Sequence, residues 1–89
     1  MDGLLNGRVA IITGAGRESG IGYATAKRFV AQGARVVLCD LETEFPEKTA
    51  KTLGDAAIAS VCDVTDRQSC IAAVAWAIKV FGRLDIVVN

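Results

Sequence analysis

The segment from Thr13 to Gly22, which reads TGAGRESGIG, constrains the fold more than any other stretch of the chain. It contains four glycines in ten residues and follows directly after the apolar run VAII. Glycine costs backbone entropy in a folded chain, so a cluster is retained mainly where the backbone needs positive φ or where something must approach it closely. A turn alone needs one or two glycines. The segment therefore predicts a loop against which a ligand lies.

Short β-branched runs and longer segments with helical spacing alternate on either side of this loop. Continuously apolar runs are typical of strands buried on both faces of a parallel sheet, and apolar residues at every third or fourth position are typical of helices. The predicted strands are 9–13, 35–39, 56–62 and 84–88, and the predicted helices are 22–33, 46–53 and 65–82. Thr65 and Gln68 have the spacing of a capping box for the third helix. Alternating strands and helices predict an α/β fold with right-handed crossovers and a parallel sheet.

Polar side chains follow three of these strands at the edge where such sheets bind ligands. Asp40 follows the second strand, Asp63 the third and Asn89 the fourth, and the glycine loop follows the first. A glycine loop at a helix N-terminus favours an anion, because free N–H groups and the helix dipole point at it and no side chain obstructs it. These features predict a pyrophosphate on the loop and a nucleotide along the edge of the sheet.

The acid at the end of the second strand indicates which dinucleotide is bound. Asp40 lies 18 residues after Gly22 and is placed to accept hydrogen bonds from an adenosine ribose. A 2′-phosphate at that position would meet like charge, so we predict NAD as cofactor in preference to NADP. Arg17 and Arg35 are the residues that would reverse this preference if either folds over the ribose.

Composition excludes several other classes of protein. The chain has 89 residues, a net charge of zero and scattered lysines and arginines, so neither nucleic acid nor a membrane is expected as a partner. The N-terminus lacks the pattern of a signal peptide, and no apolar run is long enough to span a bilayer. Three cysteines without C-x-x-C spacing are typical of a reducing compartment, so a cytoplasmic location is expected and no metal site is predicted.

Four motifs in this order resemble the short-chain dehydrogenase/reductase family, and the resemblance covers all 89 residues. The motifs are ITGAG with GIG within 12–22, CDL at 39–41, CDVTD at 62–66 and LDIVVN at 84–89. The resemblance implies a Rossmann-type, doubly wound parallel sheet, here its first four strands in the order 3-2-1-4 with three helices. It also implies an NAD-dependent oxidoreductase that transfers hydride between an alcohol or ketone and nicotinamide, and a complete protein that is a homo-oligomer.

The family's cofactor contacts transfer by position to this sequence. The glycine loop resembles the pyrophosphate site, Asp40 resembles the ribose acid, and Asp63 with the Val64 backbone resembles the adenine contacts. The cofactor-binding residues implied in this way are Gly14, Arg17, Ser19, Gly20, Ile21, Asp40, Leu41, Asp63, Val64 and Asn89.

The sequence departs from the family pattern in two respects. The loop from Gly14 to Gly20 is two residues longer than the family's Thr-Gly-x-x-x-Gly-x-Gly, and aligning Gly16 instead puts Ala15 in the place of the threonine. The family's catalytic serine and Tyr-x-x-x-Lys pair would also lie beyond residue 89. We therefore expect residues 1–89 to be the N-terminal part of one NAD(P)-binding domain, without its catalytic half, inactive alone and with no catalytic residue of its own.

Three functions stay open at this point. They are an NAD-dependent oxidoreductase, a non-catalytic nucleotide-binding or interaction module, and a methyltransferase, which also uses a glycine loop and an acid. A P-loop is excluded because Gly-Lys-Ser/Thr is missing. Tyr23 has a lysine four residues later, but this pair lies on the predicted cofactor helix, so we do not interpret it as catalytic. Cys39 and Cys62 end neighbouring strands and form either a metal or redox pair or, as we favour, small buried packing.

Overall fold

β-Branched runs and helical segments alternate in the structure as they do in the sequence. The structure is a computed structural model that describes residues 3–89. Its strands are β1 (Val9–Thr13), β2 (Arg35–Asp40), β3 (Ala57–Val61) and β4 (Ile86–Val88), and its helices are α1 (Ile21–Ala31), α2 (Pro46–Lys51) and α3 (Arg67–Phe81). Two short 3-10 turns, Glu42–Glu44 and Gly54–Ala56, flank α2.

The four strands form one parallel sheet in the order β3-β2-β1-β4, which confirms the predicted order. β1 lies between β2 and β4, with Val9 opposite Arg35 and Ala10 opposite Ile86. Because the strands are parallel, all their carboxyl ends lie at one edge of the sheet. The edge strands are β3 and β4, and the glycine loop leaves the centre of the sheet.

The sheet is covered by helices on both faces, and this explains why β1 and β2 are continuously apolar. On the face covered by α1 and α2, the core contains Ala10, Ile12, Val36 and Leu38 from the strands with Ala26 and Ala50 from the helices. On the face covered by α3, it contains Val9, Ile11, Val37 and Cys39 with Ala73 and Ala77. Alanines at these contacts let the helices lie close to the sheet.

The two edge strands and all three helices are shorter than predicted by one to three residues. α2 ends at Lys51 because the N–H groups of Thr52 and Leu53 bond the carbonyls three residues earlier, which tightens the last turn into 3-10 geometry. β3 is confined to 57–61, although the Cys62 N–H still bonds the Asp40 carbonyl at 2.8 Å. β4 is confined to 86–88, although the Asp85 N–H still bonds the Val9 carbonyl at 2.9 Å and the Asp85 side chain accepts the Val9 N–H.

The predicted capping box of α3 is wrong. The N-cap is Asp66, whose carboxylate accepts the Gln68 N–H at 3.1 Å and the Ser69 hydroxyl at 3.2 Å. Thr65 instead donates both its N–H and its hydroxyl to Asp63. Both residues are good N-caps by type, so the choice depends on the backbone geometry, which the spacing of residues does not encode.

Candidate functional site

The glycine loop passes so close to its own helix that side chains would not fit. Gly14 has a φ of +65°, in the left-handed region that favours glycine. A Cβ on Gly22 would lie 2.6 Å from the Gly14 carbonyl oxygen, so this glycine lets the first turn of α1 pack against the start of the loop. The Ala15 N–H donates to the Cys39 carbonyl at 3.2 Å and ties the loop to the end of β2.

Gly16 connects the loop to the polar end of β2. Its N–H donates to Asp40 Oδ2 at 2.9 Å, and a Cβ at this position would lie 2.7 Å from the Glu44 carbonyl oxygen. Its own carbonyl accepts the hydroxyl of Thr49, a buried polar residue on α2. Thr49 was not predicted from the sequence, because a threonine beside Ala50 on the buried side of a short helix indicates a buried position but not its partner.

The N-terminus of α1 faces the same edge of the sheet. Its N-cap is Gly20, and among the described residues no side chain caps this end and no acid lies in the first turn. The first-turn N–H groups have no partner within a helix, and the helix dipole places partial positive charge there. Ile21 is 87% exposed, and Glu18 and Ser19 are also exposed. The arrangement can bind an anion through backbone N–H groups.

Asp40 is half-buried at the end of β2 and is held entirely by backbone donors. Its Oδ2 accepts the Gly16 N–H at 2.9 Å and its Oδ1 accepts the Leu41 N–H at 2.8 Å. An ionised carboxylate has about four acceptor positions, so these two bonds leave room for two more. Asp40 can therefore hold its fixed orientation and still accept hydrogen bonds from a pair of hydroxyl groups.

Asp63 turns the chain between β3 and α3. Its Oδ1 accepts the Thr65 hydroxyl at 2.6 Å and the Thr65 N–H at 2.9 Å, and these two bonds lower the pKa of the carboxyl group. The turn leaves the neighbouring Val64 60% exposed, as Leu41 is 48% exposed after β2. Two apolar side chains thus lie uncovered beside the two acids, a combination suited to the flat, apolar faces of a nucleobase.

A groove of about 340 Å³ lies along this edge and joins residues from all four strand ends. It contains six of the ten residues that the resemblance implies for cofactor binding. These are Gly14, Asp40, Leu41, Asp63, Val64 and Asn89, and the rest of the lining is Thr13 and Cys62. The other four, Arg17, Ser19, Gly20 and Ile21, do not line the groove and lie further along the loop at the N-terminus of α1.

The two arginines singled out in the sequence lie at opposite ends of the sheet. The Arg17 Nε is 2.8 Å from Glu44 Oε1, in the turn that follows Asp40. Arg35 is the first residue of β2, and its guanidinium lies 5.8 Å from the centre of the Phe81 ring. Five residues of extended strand, roughly 16 Å, separate Arg35 from Asp40, so Arg35 does not reach the ribose position.

The three cysteines line one cavity that adjoins the groove. Cys39, Cys62 and Cys70 all line a cavity of about 170 Å³ between the sheet and α3, together with Val64 and other apolar residues. Burial raises the pKa of the Cys39 thiol to about 12, and burial together with the neighbouring Cys70 raises the pKa of Cys62. Both thiols are therefore protonated near neutral pH. Their burial and neutrality support the packing interpretation.

Tyr23 and Lys27 do not form a catalytic arrangement at the strand ends. The Tyr23 hydroxyl shares a hydrogen bond of 2.9 Å with Thr52 Oγ1 and so connects α1 to the end of α2. Lys27 lies one turn further along α1 and is exposed. The tyrosine thus fixes α1 to the end of α2.

Within the part of the chain that the structure describes, no group of three His, Cys, Asp or Glu side chains could hold a metal ion. None of the helices within 3–89 combines the length and the apolar character needed to cross a membrane.

Comparison with known proteins gives consistent results. The family model of the short chain dehydrogenases matches residues 8–89. An uncharacterized oxidoreductase of Mycobacterium bovis is 47% identical over 91 residues, which cover 100% of this chain and 36% of that protein. The human 3-hydroxyacyl-CoA dehydrogenase type-2 is 45% identical over 85 residues, covering 96% of this chain and 32% of that protein.

Solved structures extend the similarity to the fold. The crystal structure of a 3-ketoacyl-(acyl-carrier-protein) reductase from Brucella melitensis, complexed with NADH, superposes with a TM-score of 0.85 at 44% identity. The match covers 93% of this chain and 33% of the reductase. The chain thus spans about one third of the length of the proteins that it matches.

Proposed function

Since the chain belongs to the short-chain dehydrogenase family, we propose that it forms the dinucleotide-binding part of an NAD-dependent oxidoreductase. One observation supports this proposal most strongly: the glycine loop, Asp40 and Asp63 converge on one groove at the carboxyl edge of the sheet. In this proposal the pyrophosphate lies on the loop and the N-terminus of α1, the ribose on Asp40, and the adenine beside Asp63 and Val64. Asn89 lies at the far end of the groove, towards the reacting half of the cofactor.

The proposed preference for NAD over NADP rests on charge. Asp40 accepts hydroxyl hydrogen bonds but repels a 2′-phosphate, which adds a charge of about −1.5 to −2 near neutral pH. The Gly16 and Leu41 N–H groups fix the orientation of this carboxylate before any ligand arrives. A fixed acceptor loses little entropy on binding the ribose diol, and its negative charge disfavours the phosphorylated form.

The reaction proposed for the protein is hydride transfer between an alcohol or ketone and nicotinamide. When bound, the cofactor supplies the hydride chemistry, and these residues supply its binding and orientation. We propose that residues 1–89 are the N-terminal part of a single domain, that the proton-transfer residues lie outside them, and that this segment alone is inactive. We also propose that the complete protein is cytoplasmic and forms a homo-oligomer.

Calorimetric titration of the protein at its full natural length with NAD⁺ tests the binding proposal. Asp40→Asn keeps the shape of the side chain but removes its charge, and Asp55→Asn is the matched control at an exposed position. Loss of charge-assisted hydrogen bonds predicts NAD⁺ binding weaker by about tenfold to a hundredfold for Asp40→Asn and little change for Asp55→Asn. Failure of the unmodified protein to bind NAD⁺, or equal effects of the two substitutions, would refute the proposal.

A non-catalytic nucleotide-binding module uses the same groove and differs only in turnover. Incubating the full-length protein with NAD⁺ and a panel of secondary alcohols, and following NADH absorbance, separates the two functions. The oxidoreductase proposal expects NADH formation with at least one alcohol. Tight NAD⁺ binding favours the module if the protein neither oxidises any of the alcohols with NAD⁺ nor reduces the matching ketones with NADH.

A further inference from the structure

The ion pair between Arg17 and Glu44 lies outside the lining of the proposed cofactor groove. The Arg17 Nε lies 2.8 Å from Glu44 Oε1, and the two side chains are 69% and 26% exposed. Glu44 ends the 3-10 turn that follows β2 and lies four residues after Asp40. The pair therefore joins the glycine loop to the segment that carries the proposed ribose acid.

Close packing around Gly16 places this pair beside Asp40. The N–H of Gly16 donates to Asp40 Oδ2 at 2.9 Å, and Arg17 is the next residue in the chain. Gly16 also packs against both acids, because a Cβ there would be 2.9 Å from the Glu44 Cβ and 3.0 Å from the Asp40 Cβ. Arg17 and Glu44 are thus both one contact away from the carboxylate that orients the ribose.

Acidic residues outnumber cations around this position. Residues 16–18 and 40–44 contain one cation, Arg17, and four acids, which are Glu18, Asp40, Glu42 and Glu44. A guanidinium is the side chain that binds phosphate best, because its fork of donors matches two phosphate oxygens. Arg17 would therefore favour a 2′-phosphate if it were free, but its Nε already donates to Glu44.

We propose that Glu44 is a specificity residue, which holds the Arg17 guanidinium away from a 2′-phosphate and so makes the site selective for NAD over NADP. This inference rests on the proposed dinucleotide function and goes beyond it by naming a second side chain that contributes to the preference. Asp40 would repel the phosphate directly, while Glu44 occupies Arg17, the cation of residues 16–18 and 40–44 that could compensate. The preference is then shared between two acids, one in the groove and one beside it.

Dissociation constants for NAD⁺ and NADP⁺, measured by calorimetry on the full-length protein in 0.15 M salt, test this role. Glu44→Gln keeps the size of the side chain but releases Arg17. Because exposed ion pairs are weak, we expect NADP⁺ affinity to rise relative to NAD⁺ by about fivefold. Glu42→Gln is the matched control: it removes the same charge from the same turn without touching the Arg17 pair, and we expect its ratio to change by less than about twofold.

The double variant Arg17→Gln/Glu44→Gln shows whether the gain depends on the released guanidinium. We expect the gain in NADP⁺ affinity to disappear in this variant. An unchanged ratio in Glu44→Gln, an equal gain in Glu42→Gln, or a gain that persists in the double variant would each overturn the role of Glu44 while NAD⁺ binding stays intact. Absence of NAD⁺ binding in the unmodified protein would overturn the proposed function and this inference together.

Discussion

The acidic residues Asp85 and Asp40, at the two ends of the sheet, have different kinds of hydrogen-bond partners. At the amino end, Asp85 accepts two bonds from the Arg83 guanidinium, at 2.7 and 2.9 Å, and a third from the Val9 N–H. Arg8 adds a longer contact of 3.6 Å to the same carboxylate. At the carboxyl end, Asp40 is held by two backbone N–H groups alone. The Asp85 carboxylate is bound by two arginines and a backbone N–H, and the Asp40 carboxylate keeps acceptor positions open.

This difference separates stability from binding within one small fold. The network around Asp85 ties the start of β4, an edge strand with only three residues, to β1 in the centre of the sheet. The open carboxylate of Asp40, in contrast, is oriented but not neutralised. Substitutions at the amino end should therefore change stability, whereas substitutions at the carboxyl end should change binding, unless they disturb the packing of the loop itself.

The largest effect is expected at Gly22, where loop packing and binding are coupled. Gly22→Val places a branched side chain where even a Cβ would be 2.6 Å from backbone, so the loop must move away from α1. We expect the free energy of unfolding to fall by about 3 kcal/mol, in the range for overpacked sites. Ala24→Val, at an exposed position of the same helix, is the control and should cost about 0.5 kcal/mol through helix propensity alone. Urea denaturation measures both, and equal losses would contradict the close approach.

The second effect lies at the amino end and depends on pH. Bonds from Arg83 and from the Val9 N–H lower the pKa of Asp85 from its ordinary value of 3.8 to about 2. A carboxyl group with a lowered folded-state pKa stabilises the fold fully above its unfolded-state pKa and loses that contribution as pH falls through the folded value. Asp85→Asn should therefore be less stable than the unmodified protein at pH 7, and the gap should narrow between about pH 4 and pH 2.

Thermal unfolding across that pH range measures the gap, with Asp55→Asn as the exposed control. A gap for Asp85→Asn that stays constant from pH 7 to pH 2 would show that the carboxylate is not held by the arginines. Unchanged NAD⁺ affinity at pH 7 would agree with the separation between the two ends.

The third effect concerns Thr49, whose hydroxyl donates to the Gly16 carbonyl and so anchors the glycine loop to α2. Thr49→Val keeps the shape of this buried side chain but leaves the Gly16 carbonyl without its donor. The cost of a buried acceptor that loses its partner is about 1–2 kcal/mol, and the same substitution at exposed Thr43 should cost little. We also expect weaker NAD⁺ binding, because Gly16 orients Asp40. If Thr49→Val and Thr43→Val are equally stable by urea denaturation, the anchor has no energetic role.

The sequence predicted the strands and the convergence of Asp40, Asp63 and Asn89 because both follow from periodicity. Apolar runs specify buried strands, and parallel strands bring their carboxyl ends to one edge. Contacts that depend on the path of a turn could not be predicted in this way. To predict the bonds of Thr49 and Glu44 to the loop, one must know where three separate segments lie. To predict Asp66 rather than Thr65 as the N-cap, one must know the backbone angles at these residues.

The smallest effect concerns Arg35 and tests the separation of the two ends most directly. Arg35 lies over the Phe81 ring at 5.8 Å at the amino end, and an exposed cation–π contact contributes about 0.5 kcal/mol. Arg35→Gln should lower stability by about that amount, and Arg35→Lys by less, because the charge over the ring is kept. Neither should change the ratio of NAD⁺ to NADP⁺ affinity, since the strand holds Arg35 far from Asp40. A changed ratio in Arg35→Gln would mean that charge at the amino end reaches the ribose, and the division between a stabilising end and a binding end would fail.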